Sequence, residues 1–581
     1  MKHSKFRKKQ LDKKQNNVAP DQRILPVILM WSVPLILSIP AVALSIMGHY
    51  SWAASLTQVL LPMGVMLVLL SVWRRVGITT LCLLPFMALA AFQIVLLFLY
   101  ADGSIIGVDM FLNVVTTNSS EALELLGNLL PAIALCIALY LPVLIIAIMI
   151  TRRGWGVNSP RRRMAAFVGC LIAAVGTLAL ATSLSSERSY KIDEDLYPVN
   201  VCNNMAEAFK RSYRTKNYYR DSADFSFGVS SERPDSIREV YIAVIGETSR
   251  ADNWQLFGYD RFTTPYLCSM PDSALAAYAH TLSESNTTHK AVPLLLSTLT
   301  SDNFGKQINR TKSVVSAFKE AGYATDFISM QARNRSYIDF FAYEADSTVF
   351  LREPEPGIVN HDVSDIDALP LVDSILRSGH GKQLIVIHLY GSHFNYFDRY
   401  PREQAYFLPD HYEAASQAQR GRLMNAYDNS IRQTDHLLVE LINRLDSIGC
   451  SGGLIFSSDH GEDIFDDERG RFLHASPIPT FHQLHVPFIV YMTPALRSSN
   501  PDLWMAAKAN EVHPVSSSAS YTPTLLSMAG LLTEKADSTK ALTTINYSAP
   551  EEFKFLNDLN RAESLQDAGF TSRDFTLLST L

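Results

Sequence analysis

The first 184 residues hold five apolar stretches, at about 24–47, 55–73, 78–100, 128–150 and 164–184. Each is close to the ~20 residues that a helix needs to cross a bilayer. A lysine-rich tail precedes the first stretch, as in a signal peptide, but the stretch is too long for a signal-peptide core and four more follow, so an uncleaved first span is expected. Basic residues crowd the tail (Lys2, Lys5, Arg7, Lys8, Lys9, Lys13, Lys14, Arg23), the turn Arg74-Arg75 and the loop holding Arg152, Arg153 and Arg161 to Arg163. The intervening loops, 49–54 and 101–127, hold none. The positive-inside rule therefore puts the amino terminus in the cytoplasm and everything after Leu184 on the far side. Merging the second and third stretches would reverse that outcome.

The formal net charge of −6 hides an asymmetry between this apolar third and a polar, mildly acidic remainder. Four segments are expected: a cytoplasmic basic tail (1–23), a five-span transmembrane domain (24–184), a bridging linker with an interfacial helix (185–236) and a soluble domain (237–581). In the linker, 204–219 reads as a basic, aromatic, amphipathic helix, lying either on the membrane surface or packed on the soluble domain. From 237 onward, apolar runs at 240–245, 324–328, 384–389, 453–456 and 487–491 alternate with helical patterns such as 313–321 and 422–445. That alternation argues an α/β fold, a mostly parallel sheet flanked by helices. Of six cysteines, Cys202, Cys268 and Cys450 lie outside the apolar third, too few for a dense disulfide framework.

In such sheets ligands bind outside the carboxyl ends of the strands. The run 239–246 breaks at Gly246 and delivers Glu247, Thr248, Ser249 and Arg250. Alone, Glu247 reads equally as a loop glutamate capping a helix. The run 453–456 is followed by Asp459-His460-Gly461, in which carboxylate and imidazole could share one cation, zinc or manganese by ligand type, or form a salt-bridged surface couple. Further histidines stand at His393, His474 and His485. No paired Cys or His spacing announces a finger-type zinc, so a catalytic site with an open position fits better. The loop 283–297 is rich in hydroxyls, Thr287 and Thr288 among them, and enters an apolar helix. It reads as an ordinary cap or as a nucleophile at a helix terminus that welcomes phosphate. The loop 107–122 sets Asp109, Asn113 and Thr116 near one helical face, with Glu121 in the first turn of a following helix, either as solvating caps or as a polar ledge that meets lipid headgroups.

Taken together, Gly246-Glu247-Thr248-Ser249-Arg250 with Gly258-Tyr259-Asp260-Arg261, Gly391-Ser392-His393, Asp459-His460-Gly461-Glu462, Leu473-His474 and His485-Val486-Pro487 resembles the phosphoethanolamine transferases. These membrane-anchored enzymes include the polymyxin-resistance lipid A transferases and join five spans to an alkaline-phosphatase or sulfatase-like domain. The resemblance implies a zinc site of Glu247, Thr288, Asp459 and His460, with Thr288, five residues before Pro293, as nucleophile. It implies that His393 and His474 bind a second metal or the phosphoethanolamine group, and that Asn113, Thr116 and Glu121 contact the donor headgroup. The expected activity moves phosphoethanolamine from phosphatidylethanolamine to lipid A or a lipopolysaccharide core or surface glycan through a phosphothreonine. The expected setting is the bacterial inner membrane, with the catalytic domain periplasmic, the chain monomeric and no nucleic-acid partner. A lipoteichoic-acid-type glycerophosphate transferase and a non-catalytic receptor of the same fold are the alternatives. Two places depart from the lipid A branch: Glu284 and Leu294 stand where it has cysteines, and 329–335 differs from its lysine-bearing loop, which leaves the acceptor open. The last fifty or so residues carry no motif.

Overall fold

The computed structural model describes residues 24–48, 50–100, 104–116, 119–186, 190–231, 233, 236–352 and 363–581, with side-chain surroundings given outside 115–128. The basic tail lies outside these residues, as does Asn118, which with Ser119 is a candidate cap for the helix bearing Glu121. Two compact units emerge: residues up to 107 with 126–207, and 108–125 with 208–581.

Among the described residues of the first unit, four helices are long and apolar enough to cross a membrane: Ile24–Met47, Trp52–Val72, Leu129–Arg152 and Ser159–Ser186. The expected third span is instead a pair, Val76–Cys82 and Leu84–Tyr100, bent by 53°. Pro85 explains the break, because it has no N–H to give the preceding turn and its ring crowds that turn's carbonyl. Counting the bent pair as one span makes five. Helices Trp52–Val72 and Ser159–Ser186 touch closely, and a Cβ on Gly176 would fall 2.5 Å from the Leu61 nitrogen. Arg162 donates to the Val72 carbonyl at 2.7 Å, and Val157 N donates to Arg74 O at 3.0 Å. The two arginine-bearing turns are thus neighbours, as a shared side of a membrane requires.

The second unit is built on a seven-stranded sheet. Its strands are β1 (Glu239–Gly246), β2 (Leu275–Ala277), β3 (Ala324–Ser329), β4 (Ser347–Phe350), β5 (Lys382–His388), β6 (Ser451–Ser458) and β7 (Phe488–Met492), in the spatial order β2-β7-β6-β1-β5-β3-β4. From β6 to β4 the strands are parallel; β7 runs antiparallel to both β6 and β2. The five longer strands fall on the expected runs. The edge strands β2 and β4 are too short to show a period, and the sheet is mixed because β7 is reversed. β1 is buried along all eight residues, which suits its unbroken apolar, β-branched run.

Register sets up the site. Ile245 of β1 pairs with His388 of β5 on one side and Ser457 of β6 on the other, so three strands end level. The helix Arg420–Ile448, ended by left-handed Gly449, supplies Tyr427 to that end of the sheet. The carboxyl-terminal stretch adds the hairpin Lys554–Leu556 with Ala562–Ser564 and the helix Ser572–Leu578. Phe555, Leu565, Ala568 and Phe570 pack there on Leu282, Phe481 and Leu484, so a stretch without a motif still carries core.

Candidate metal centre

Each strand end delivers one part. Glu247 follows β1, and the next residue, Thr248, has φ 59°, a left-handed conformation that costs a non-glycine of order 1–3 kcal/mol. Three bonds hold it: Thr248 N donates to Asp459 Oδ1 at 3.0 Å, Tyr427 OH donates to Thr248 O at 2.7 Å, and Arg250 N donates to Tyr427 Oη at 2.9 Å. Beyond β5 the chain turns at Gly391, φ 52°, where a Cβ would lie 2.6 Å from the Glu247 carbonyl oxygen. Only glycine fits that approach. Asp459 and His460 follow β6, with Asp459 N donating to Gly246 O at 3.1 Å.

Thr288 opens the helix Thr288–Leu295, whose N-cap is Thr287. Its Oγ1 donates to Glu247 Oε1 at 3.2 Å and lies 3.1 Å from His460 Nε2. Glu247 Oε1 is 3.6 Å and Asp459 Oδ2 3.2 Å from the same nitrogen. Glu247, Thr288, Asp459 and His460 therefore converge. Glu247, Asp459 and His460 are buried and Thr288 is half-buried. His460 Nδ1 faces the Gly461 carbonyl at 2.9 Å, an acceptor only, so Nδ1 carries the proton and Nε2 turns a lone pair to its neighbours. Asp459 Oδ2 is buried with no hydrogen-bond partner. Burial, and for Glu247 the Asp459 charge, push both carboxyls up, while burial drives the His460 imidazole well below its ordinary range. Carboxylate oxygens and an imidazole lone pair crowded without a cation are costly, and a divalent ion resolves that cost by replacing the protons. The donor set of oxygen and nitrogen suits zinc.

The two further histidines lie alongside. His474 stands between left-handed Leu473 and Ala475; its ring is 4.2 Å from that of His460 and 6.1 Å from that of His393. Its Nδ1 faces Glu462 Oε2 at 3.3 Å. One donor atom each from Glu247, His460 and His474 lie within 4.8 Å of one another, close enough to share a metal ion, and this set overlaps the expected one in two residues. His393 donates from Nδ1 to Phe394 O, and its pKa falls to about 3 through burial, then Arg399 and His474, so it is a neutral imidazole. His485 is engaged elsewhere, with Nδ1 2.7 Å from Asp252 Oδ1 and Nε2 2.8 Å from Ala279 O. Asn113 lies in the helix Val108–Thr116 and Glu121 in the helix Ser119–Arg152; the side-chain surroundings of Thr116 and Glu121 lie outside the described residues.

Sequence reasoning missed Gln331. From the loop after β3 its Nε2 donates to Glu247 Oε2 at 2.9 Å and to Leu389 O at 2.9 Å, and lies 3.2 Å from His388 Nε2. A polar loop at a strand's carboxyl end was the one available signal. Glu284, at one of the missing cysteine positions, accepts from Ser301 N at 2.7 Å and Ser516 Oγ at 2.8 Å, so hydrogen bonds clamp that loop; Leu294 is core. Cys202, Cys268 and Cys450 are free thiols.

Residues 239–531 match the sulfatase family. The Kdo(2)-lipid A phosphoethanolamine 7''-transferase of Salmonella typhimurium is 29% identical over 262 residues, 44% of this chain and 45% of the relative. The phosphoethanolamine transferase EptA of Helicobacter pylori is 28% identical over 264 residues, 44% of this chain and 48% of the relative. The chain thus spans about half the length of the curated relatives it matches. Among solved structures, the integral membrane lipooligosaccharide phosphoethanolamine transferase A (EptA) from Neisseria meningitidis aligns with a TM-score of 0.67 at 19% identity, over 88% of this chain and 97% of the other. The carboxyl-terminal periplasmic domain of EptC from Escherichia coli, in complex with zinc, aligns at 0.53 and 23%, over 60% and 97%. At these identities the two structures speak to fold alone.

Proposed function

Since the chain belongs to the sulfatase family, and the curated relatives it matches include phosphoethanolamine transferases, we propose that it transfers phosphoethanolamine from phosphatidylethanolamine to lipid A or a lipopolysaccharide core or surface glycan. The observation that carries this reading is the convergence of the Thr288 hydroxyl with Glu247, Asp459 and His460. These four residues would hold a zinc ion, with His393 and His474 beside it for a second ion or the phosphoethanolamine group. When bound, zinc would favour the threonine alkoxide and offset charge on the phosphoryl oxygens.

Thr288 acts as nucleophile. Its Oγ1 bonds to the donor phosphorus, the phosphorus–oxygen bond to diacylglycerol breaks, and diacylglycerol leaves as the alcohol. An acceptor oxygen then attacks the phosphothreonine and frees Thr288, a two-step course with ping-pong kinetics. The neutral His393 can hydrogen-bond the ammonium of the transferred group. Asn113, Thr116 and Glu121 contact the donor headgroup. The protein works as a multi-pass monomer of the bacterial inner membrane, with its second unit in the periplasm. The test uses the purified full-length protein, headgroup-labelled phosphatidylethanolamine and mass spectrometry of the peptide containing Thr288. A phosphoethanolamine increment on that peptide is expected, and Thr288→Ala should transfer nothing. Normal transfer by that variant, or a glycerophosphate increment on the wild type, would reject the reading.

A further inference from the structure

Two residues past Thr288, Lys290 is buried, which lysine almost never is unless paired. Its Nζ forms an ion pair with Asp109 Oδ2 and donates to the Asn557 carbonyl at 2.7 Å. Asp109, also buried, sits in the first turn of the helix Val108–Thr116. Its Oδ1 lies 3.2 Å from His289 Nε2 and 3.8 Å from Arg211 Nη1, and that guanidinium donates to Asn560 Oδ1 at 3.0 Å. Asp558 lies against Asp109; burial and the Asp109 charge hold its carboxyl well above the usual range. The helix that presents Thr288, the helix bearing Asp109, the helix bearing Arg211 and the stretch 557–560 are therefore tied together at the two residues after the nucleophile.

A buried ion pair is poor evidence for net stability, since well-packed apolar groups often do as well, but it can specify position. Position is what this helix lacks by itself. Thr288–Leu295 has eight residues and an internal proline, Pro293, and helices shorter than about 12–15 residues are marginal without tertiary support. The direction of the Thr288 hydroxyl must come from outside the helix. We propose that Asp109 and Lys290 are positioning residues that fix the rotation of the helix Thr288–Leu295 and so aim Thr288 Oγ1 at Glu247 and His460, with the carboxyl-terminal stretch 557–560 as part of the same device. The inference rests on the reading of Thr288 as nucleophile.

The test compares D109N, K290M, D109N/K290M and K290R with wild type in the full-length protein, by thermal melting, by donor turnover, and by amide hydrogen exchange in peptides covering 285–296. Each neutralising single variant removes one member of the buried Asp109–Lys290 pair and should melt lower; the double variant removes both charges and should regain most of that loss. A positioning role requires that kcat nevertheless stay at least tenfold down in the double variant, with KM for phosphatidylethanolamine within about twofold of wild type, that exchange across 285–296 be faster, and that the charge-retaining K290R recover part of kcat. Recovery of kcat together with melting in the double variant, or unchanged exchange across 285–296, would overturn the inference. If the wild type leaves phosphatidylethanolamine untouched, the proposed function fails, while the exchange comparison still decides whether this pair fixes the helix.

Discussion

Gln331→Leu isolates the hold on Glu247. The Gln331 amide nitrogen has two hydrogens and two acceptor-only partners, Glu247 Oε2 and Leu389 O, both at 2.9 Å, which also fixes the orientation of the amide. Leucine keeps the volume but donates nothing. A hydrogen bond to a charged group is worth about 1.5–3 kcal/mol, and about 1.4 kcal/mol is tenfold in affinity, so zinc binding should weaken roughly 10- to 100-fold. The same range is typical when a residue that supports a metal ligand is lost. The assay is competition for zinc between the chelator-stripped full-length protein and a chromophoric chelator, with melting of the stripped protein as the control for folding. A zinc affinity within twofold of wild type in a folded Gln331→Leu protein would refute the reasoning, because Glu247 would then need no support from Gln331.

Glu344 accepts hydrogen bonds from Ser313, Ser316 and Tyr218, yet burial lifts its pKa to about 7 against an ordinary 4.5. Folded chains keep a proton there that unfolded chains release, so this stability is full below about pH 4.5 and is lost as pH rises through 7, about 3 kcal/mol in all. Glu344→Gln should remove that slope, so that its melting temperature relative to wild type rises between pH 5 and pH 8; a difference that stays constant with pH would contradict the assignment. Glu284→Ala leaves Ser301 N and Ser516 Oγ without their acceptor and should cost about 2–4 kcal/mol, read as a lower melting temperature, whereas Glu284→Gln should cost clearly less. Equal melting of the two variants would show that those bonds do not clamp the loop.

The carboxyl ends of β1, β5 and β6 are legible in the sequence because each strand is an unbroken apolar run that stops at polar residues, and the parallel register brings those stops level. The convergence of Glu247, Asp459 and His460 follows from that register. The rest depends on contacts between residues far apart in the chain. Asp109 and Lys290 are separated in the chain by the last two apolar helices and the linker, and neither shows a pattern that names the other. Gln331 sits in a loop with no period, and β2 and β4 are too short to carry one. The bend before Leu84 depends on a single proline inside an apolar run whose hydropathy is continuous across it. His485 stands among the candidate histidines by composition, yet Asp252 and the Ala279 carbonyl engage both of its ring nitrogens.

The contact at Gly391 limits how a chain of this kind can be redesigned. The loop bearing His393 rests on the Glu247 backbone with no room for even a methyl group between them. A library that randomised 390–394 would therefore shift Glu247 whenever position 391 varied, whatever the neighbouring substitutions did. Holding that glycine constant would let the neighbouring positions be sampled with the ligand left in place.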